Sequence, residues 1–80
     1  DFNPGSCYTA SLSEAADFGR VRLRLTAEEV LWGVIAGAAD SLQVGDRLGR
    51  LAPGYDATWL ALDLPEVHPF GYGFGENPVV

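Results

Sequence analysis

The chain contains no methionine, no lysine, one cysteine and one histidine in 80 residues. The single Cys7 excludes an internal disulfide framework and a cysteine-based zinc cluster. The single His68 excludes a histidine-rich metal site built from this chain alone. Cations are scarce: the five basic residues are all arginine, against 11 acidic ones, for a formal charge of -6. Nucleic acid is therefore not an expected partner, because neutralising phosphate needs a basic face. The all-arginine bias itself reads most simply as codon usage in a GC-rich genome. No stretch approaches the roughly 18 consecutive apolar residues of a membrane-spanning helix, and none reads as the apolar core of a signal peptide. The missing methionine, with a start in turn-forming residues, leads to the expectation of a fragment or a processed product.

What is present is globular in composition. Apolar residues make up 48% and charged residues 20%, too apolar for a disordered chain. Eighty residues make one small domain at most, and a chain of this length buries only about 60% of its unfolded surface, so its own core would be marginal.

Asp1 to Ser6 reads as a loop around the Pro4-Gly5 turn pair. Ser11 and Glu14 have the spacing of a capping box, which predicts a helix over about Leu12 to Phe18 with Gly19 as its stop. Val21 and Leu23 alternate with Arg22 and Arg24, which fits a short strand or a continuation of that helix. Thr26 to Glu29 is a second capping box. Behind it Val30, Leu31, Val34, Ile35 and Ala38 recur at helical spacing on one face. Little in 80 residues is large enough to cover that face, so poor burial of Val30, Leu31, Val34 and Ile35 is expected. Gly45-Asp46 and Gly49 punctuate the exit. Leu48 to Leu51 and Ala57 to Leu64 then read as two strands of a hairpin around Pro53-Gly54. From Glu66 the chain is loop-like and aromatic.

Few residues stand out chemically. Asp1, Asn3, Gly5 and Ser6 put a carboxylate, a carboxamide, a backbone amide and a hydroxyl into one turn. Such a set can hold a metal ion through Asp1, or an anionic ligand through Asn3, the Gly5 amide and Ser6. On spacing alone, an ordinary Asx turn with a Pro-Gly turn is the stronger explanation. His68 reads as a solvent-exposed loop residue and Cys7 as a small half-buried side chain. Asp17, Glu28, Glu29 and Asp40 read as solvated helix faces or caps. Gly71 to Gly75 lacks phosphate-loop spacing and a following helix.

Several segments together resemble one family. Gly49-Arg50-Leu51-Ala52-Pro53-Gly54-Tyr55-Asp56-Ala57-Thr58-Trp59-Leu60-Ala61-Leu62-Asp63 resembles the C-terminal signature of the amidohydrolase superfamily, with Tyr55 where lysine is usual and Thr58 where aspartate is usual. Asp1-Phe2-Asn3-Pro4-Gly5-Ser6 resembles the motif after the eighth barrel strand of imidazolonepropionases. Pro69 to Val79 is similar to that family's late aromatic stretch, with Gly73 where histidine is usual.

The resemblance implies an α+β piece: the last helices of a (β/α)8 barrel over residues 1–47, then part of a side β-sandwich over residues 48–80. It implies a parent hydrolase that converts 4-imidazolone-5-propionate to N-formimino-L-glutamate by metal-activated water, with zinc or iron as the metal. It makes Asp1 the metal ligand and proton carrier, and Asn3, Gly5 and Ser6 the contacts to substrate or product. A cytoplasmic parent follows, with a homodimer as one expectation, and this chain alone is expected to be inactive. A ring deaminase of the same superfamily is one alternative. A non-catalytic interaction module, using Phe70, Tyr72 and Phe74 as an exposed apolar stripe, is another.

Overall fold

A computed structural model describes residues 2–80. Its first helix, α1, spans Leu12–Arg22. Ser11 caps it: the Glu14 N–H donates to Ser11 Oγ at 3.2 Å. The return half of the predicted box is not made, because the Glu14 carboxylate instead accepts from Thr9 Oγ1 at 2.5 Å. The helix runs through Gly19 rather than stopping there. A Cβ at Gly19 would lie 3.2 Å from Val30 Cγ2 and 3.6 Å from Leu25 Cδ1, so this glycine serves close helix packing, not termination.

The second helical run begins where the sequence places it. Thr26 Oγ1 accepts from the Glu29 N–H at 3.2 Å, and Glu29 Oε2 accepts from the Thr26 N–H at 2.8 Å, so both halves of the capping box form. Helix α2 covers Ala27–Trp32, a π turn follows over Gly33–Gly37, and α3 covers Ala38–Ser41. The wide turn brings residue 37 beneath the Trp32 indole, and a Cβ on Gly37 would meet that ring at 2.7 Å. Helix α3 ends in a Schellman motif: the Val44 N–H donates to Ala39 O and the Gln43 N–H to Asp40 O, both at 3.0 Å. The left-handed residue is Gln43 (φ 59), two positions before the glycine that the sequence suggested as the stop.

The core lies between α1 and α2. Ala16, Val30 and Phe70 are buried, with Leu25, Leu31, Val34 and Leu64 packed around them. Val30 is therefore well covered, contrary to expectation, because the aromatic tail folds back to supply Phe70. Ile35 remains 45% exposed, as expected. Phe70 also breaks the proposed stripe: it faces inward, while Tyr72 is exposed and Phe74 meets Phe18 edge-on at 5.5 Å. Arg20 clamps the tail by donating from Nη1 to the carbonyls of His68 (2.8 Å) and Phe70 (2.6 Å). Gly71, at φ +74, lets the tail backbone pass close to Ala16 O.

The predicted hairpin does not form. Among the described residues there are two isolated bridges and no strand, so the piece is helical with loops rather than α+β. The Pro53-Gly54 turn is present: the Tyr55 N–H donates to Ala52 O at 3.1 Å, with Gly54 at φ +90. Arg47 and Asp56 close the loop by an ion pair at 2.6 Å. The chain at 61–63 then pairs with the C-terminal tail, through Asp63 N–H to Pro78 O and Val80 N–H to Ala61 O. A two-stranded ribbon with no sheet behind it is marginal in water, and nothing in the described residues supplies the third strand.

Candidate anion-binding loop and a buried carboxyl

The loop from Asn3 to Cys7 is closed by its own backbone. The Asn3 N–H donates to Cys7 O at 2.7 Å, and Asn3 O accepts from the Ser6 and Cys7 N–H groups at 3.1 and 2.8 Å. Asn3 Oδ1 accepts from the Gly5 N–H at 2.8 Å, completing an Asx turn. A Cβ at Gly5 would lie 3.2 Å from that oxygen, which is why glycine suits the position. Phe2 and Tyr8 flank the loop with ring centroids 5.4 Å apart.

This geometry sorts the predicted contacts. Asn3, Gly5 and Ser6 are brought together on one exposed loop. The Gly5 amide is engaged by Asn3, so it donates inward. The same bond orients the carboxamide and turns Asn3 Nδ2 away from the Gly5 amide. Two neutral donors, Asn3 Nδ2 and Ser6 Oγ, are left for an anion. Asp1 lies outside the described residues. Cys7 is a half-buried free thiol and His68 is exposed, with its carbonyl rather than its ring engaged by Arg20.

One group was misread from the sequence. Asp17 is 2% exposed, and its Oδ2 has no hydrogen-bond partner. It lines a recess of about 30 Å³ between α1 and the tail, with Ser13, Phe70, Gly73 and Glu76. Burial pushes its carboxyl above the ordinary aspartate value, and the charges of Glu14 and Glu76 add to the effect. Glu28 shifts the other way: its own backbone N–H and the Thr26 hydroxyl stabilise the charged form. No group of three or more His, Cys, Asp or Glu converges among the described residues. Among the described residues no helix is long and apolar enough to cross a membrane.

No family model matches the chain. Individual relatives do. An imidazolonepropionase of Hahella chejuensis is 39% identical over 75 residues, covering 94% of this chain and 19% of that protein. One of Nocardia farcinica is 45% identical over 65 residues, covering 81% of this chain and 16% of that protein. One of Thermoanaerobacter pseudethanolicus is 32% identical over 79 residues, covering 99% and 19%. The chain spans about a fifth of the length of the curated relatives it matches. The class is thus one whose relatives are named as enzymes. Along nearly its whole length the chain is similar to imidazolonepropionases, the resemblance that its two end motifs implied.

Proposed function

We propose that the chain is the C-terminal part of an imidazolonepropionase, a cytoplasmic hydrolase that opens 4-imidazolone-5-propionate to N-formimino-L-glutamate. The observation that carries this reading is the 32–45% identity along 81–99% of the chain, which in the 79-residue match takes in both the Asn3–Cys7 loop and the aromatic tail. Surface supports it. The chain exposes 6168 Å², whereas a compact monomer of 8.5 kDa exposes roughly 4,700 Å². Large apolar side chains such as Trp32, Trp59 and Leu60 are among those exposed, which suits a piece that packs on more protein.

In this reading residues 1–47 follow the eighth strand of a (β/α)8 barrel, and residues 48–80 join a side β-sandwich. The loop holds the substrate's carboxylate: Asn3 Nδ2 and Ser6 Oγ donate to it, and the Gly5 amide keeps the Asn3 side chain in place. Charge-assisted hydrogen bonds of this kind contribute about 1.5–3 kcal/mol each. The reading also brings a zinc or iron ion, with Asp1 as this chain's ligand to it. The described residues do not make a cage for such an ion, so their part is to bind and orient the anion. A homodimeric parent completes the proposal.

The test uses the complete protein. Asn3→Ala and Ser6→Ala are each expected to raise KM for imidazolonepropionate by about tenfold or more. Shortening the substrate's carboxylate arm should erase the difference between variant and parent. Unchanged KM in both variants would refute the assignment of the loop. The chain by itself, supplied with zinc, is expected to consume no substrate.

A further inference from the structure

We infer that the tail segment from Tyr72 to Pro78 is a proton-controlled latch on α1, closed when Asp17 is neutral and loosened when Asp17 is a carboxylate. The inference is independent of the reaction proposed above. It starts from Asp17 Oδ2, buried and unpartnered at the recess that the tail roofs.

The groups around that oxygen are of one sign. Glu14 approaches from α1 itself and Glu76 from the tail. The segment around Leu64 and Pro69 brings no titratable side chain to the recess. Arg20, one turn further along α1, is the nearest cation in sequence, but its Nη1 is engaged by the carbonyls of His68 and Phe70. A neutral Asp17 removes its own charge from this acidic recess. An ionised Asp17 adds its charge to those of Glu14 and Glu76, beside a recess whose Ser13 hydroxyl is already bonded to Ser11 Oγ at 3.0 Å.

The segment is built to move without unseating its neighbours. Phe70 anchors one end in the core, and the Leu62–Val79 bridge holds the other. Gly71 and Gly75 both have positive φ, at 74 and 79. The segment's own turns are the Tyr72 N–H to Pro69 O and the Glu76 N–H to Gly73 O; against α1 it sets the edge of Phe74 on Phe18, and at its far end Pro78 O accepts from the Asp63 N–H.

The sign follows from linkage. The closed form raises the Asp17 value, so it binds the proton more tightly than the open form does. Closure is therefore fully favoured below the ordinary aspartate value of 3.8 and is lost as pH rises through the raised value.

Hydrogen exchange of the complete protein, corrected for intrinsic rates at each pH, tests this directly. Protection of the amides of Tyr72 and Glu76 should fall with rising pH, by up to about tenfold per unit for a single proton. Protection in the body of α1 should hold steady. Asp17→Asn should keep the segment protected and flat across the series. Glu76→Gln, which leaves Asp17 in place, should move the fall to lower pH. A flat profile in the parent, or the same fall in Asp17→Asn, would overturn the inference.

Discussion

Replacing Gly49 with alanine should destabilise this fold far more than the same change at Gly54. Both glycines sit in the left-handed region, at φ +87 and +90. Putting a Cβ there costs about 1–2 kcal/mol per residue at either site. The surroundings differ. At Gly54 an added Cβ meets nothing within 4 Å. At Gly49 it would lie 2.8 Å from Ala39 Cβ and 3.2 Å from both Ala36 Cα and Ile35 O. Those atoms belong to the buried face of the π turn and α3, and two are backbone, so they cannot swing aside. Carbon atoms pack comfortably at about 3.5–4.0 Å, and forced overlap in a packed site costs about 1–3 kcal/mol more. The expected losses are roughly 2–5 kcal/mol for Gly49→Ala and about 1–2 kcal/mol for Gly54→Ala. Urea unfolding followed by far-UV circular dichroism measures both. Equal losses at the two positions would refute the claim that the loop after α3 rests on Ala36 and Ala39.

Three further outcomes follow from the same contacts. Phe70→Ala empties the middle of the core and should cost about 3–5 kcal/mol; the same unfolding measurement reads it, and a loss under about 1 kcal/mol would mean the tail does not complete that core. Glu28 has a lowered carboxyl value, so its contribution to the start of α2 is present above the ordinary value of 4.5 and is lost as pH falls through the lowered one; Glu28→Gln should abolish that acid-side change in α2 amide exchange, and an unchanged profile would refute it. Residues 57–61 are all exposed here, and their amides should exchange quickly in the separate 80-residue chain but about a hundredfold more slowly in the complete protein. Fast exchange in both would count against a covering sheet.

The parts legible in the sequence were those fixed by neighbours along the chain. Thr26 and Glu29 satisfy each other's backbone within one turn, so their spacing sufficed to place the start of α2. Ser11 and Glu14 have the same spacing, yet Thr9 captured the glutamate, and a competing hydroxyl two residues upstream is not visible in the motif. The Asx turn at Asn3 was equally local, although which donors it leaves free required the Gly5 bond to be seen. The hairpin failed for the opposite reason. Its strands are good by composition, but strand pairing needs partners, and the 61–63 backbone found the C-terminal tail instead. Asp17 escaped notice because the face of α1 that meets the tail reads Ser13, Ala16, Asp17, Arg20, with no large apolar residue to mark it.

That same face explains how a chain with so little apolar bulk on α1 keeps the helix attached. Its inward contacts are an alanine, an arginine that holds two carbonyls, and a carboxyl that lacks a donor. Two of these three are polar, and each acts on the tail rather than on α2. Helix α2 meets α1 through Val30 and Gly19, a contact of small area that the Phe70 ring completes. Tail and helices are therefore coupled through Phe70: a change that unseats that ring thins the core, whereas residues 72–78 lie beyond it. The Asp17 carboxyl lies beneath the tail beyond that anchor, so its charge acts on the roof of the recess without unseating the ring.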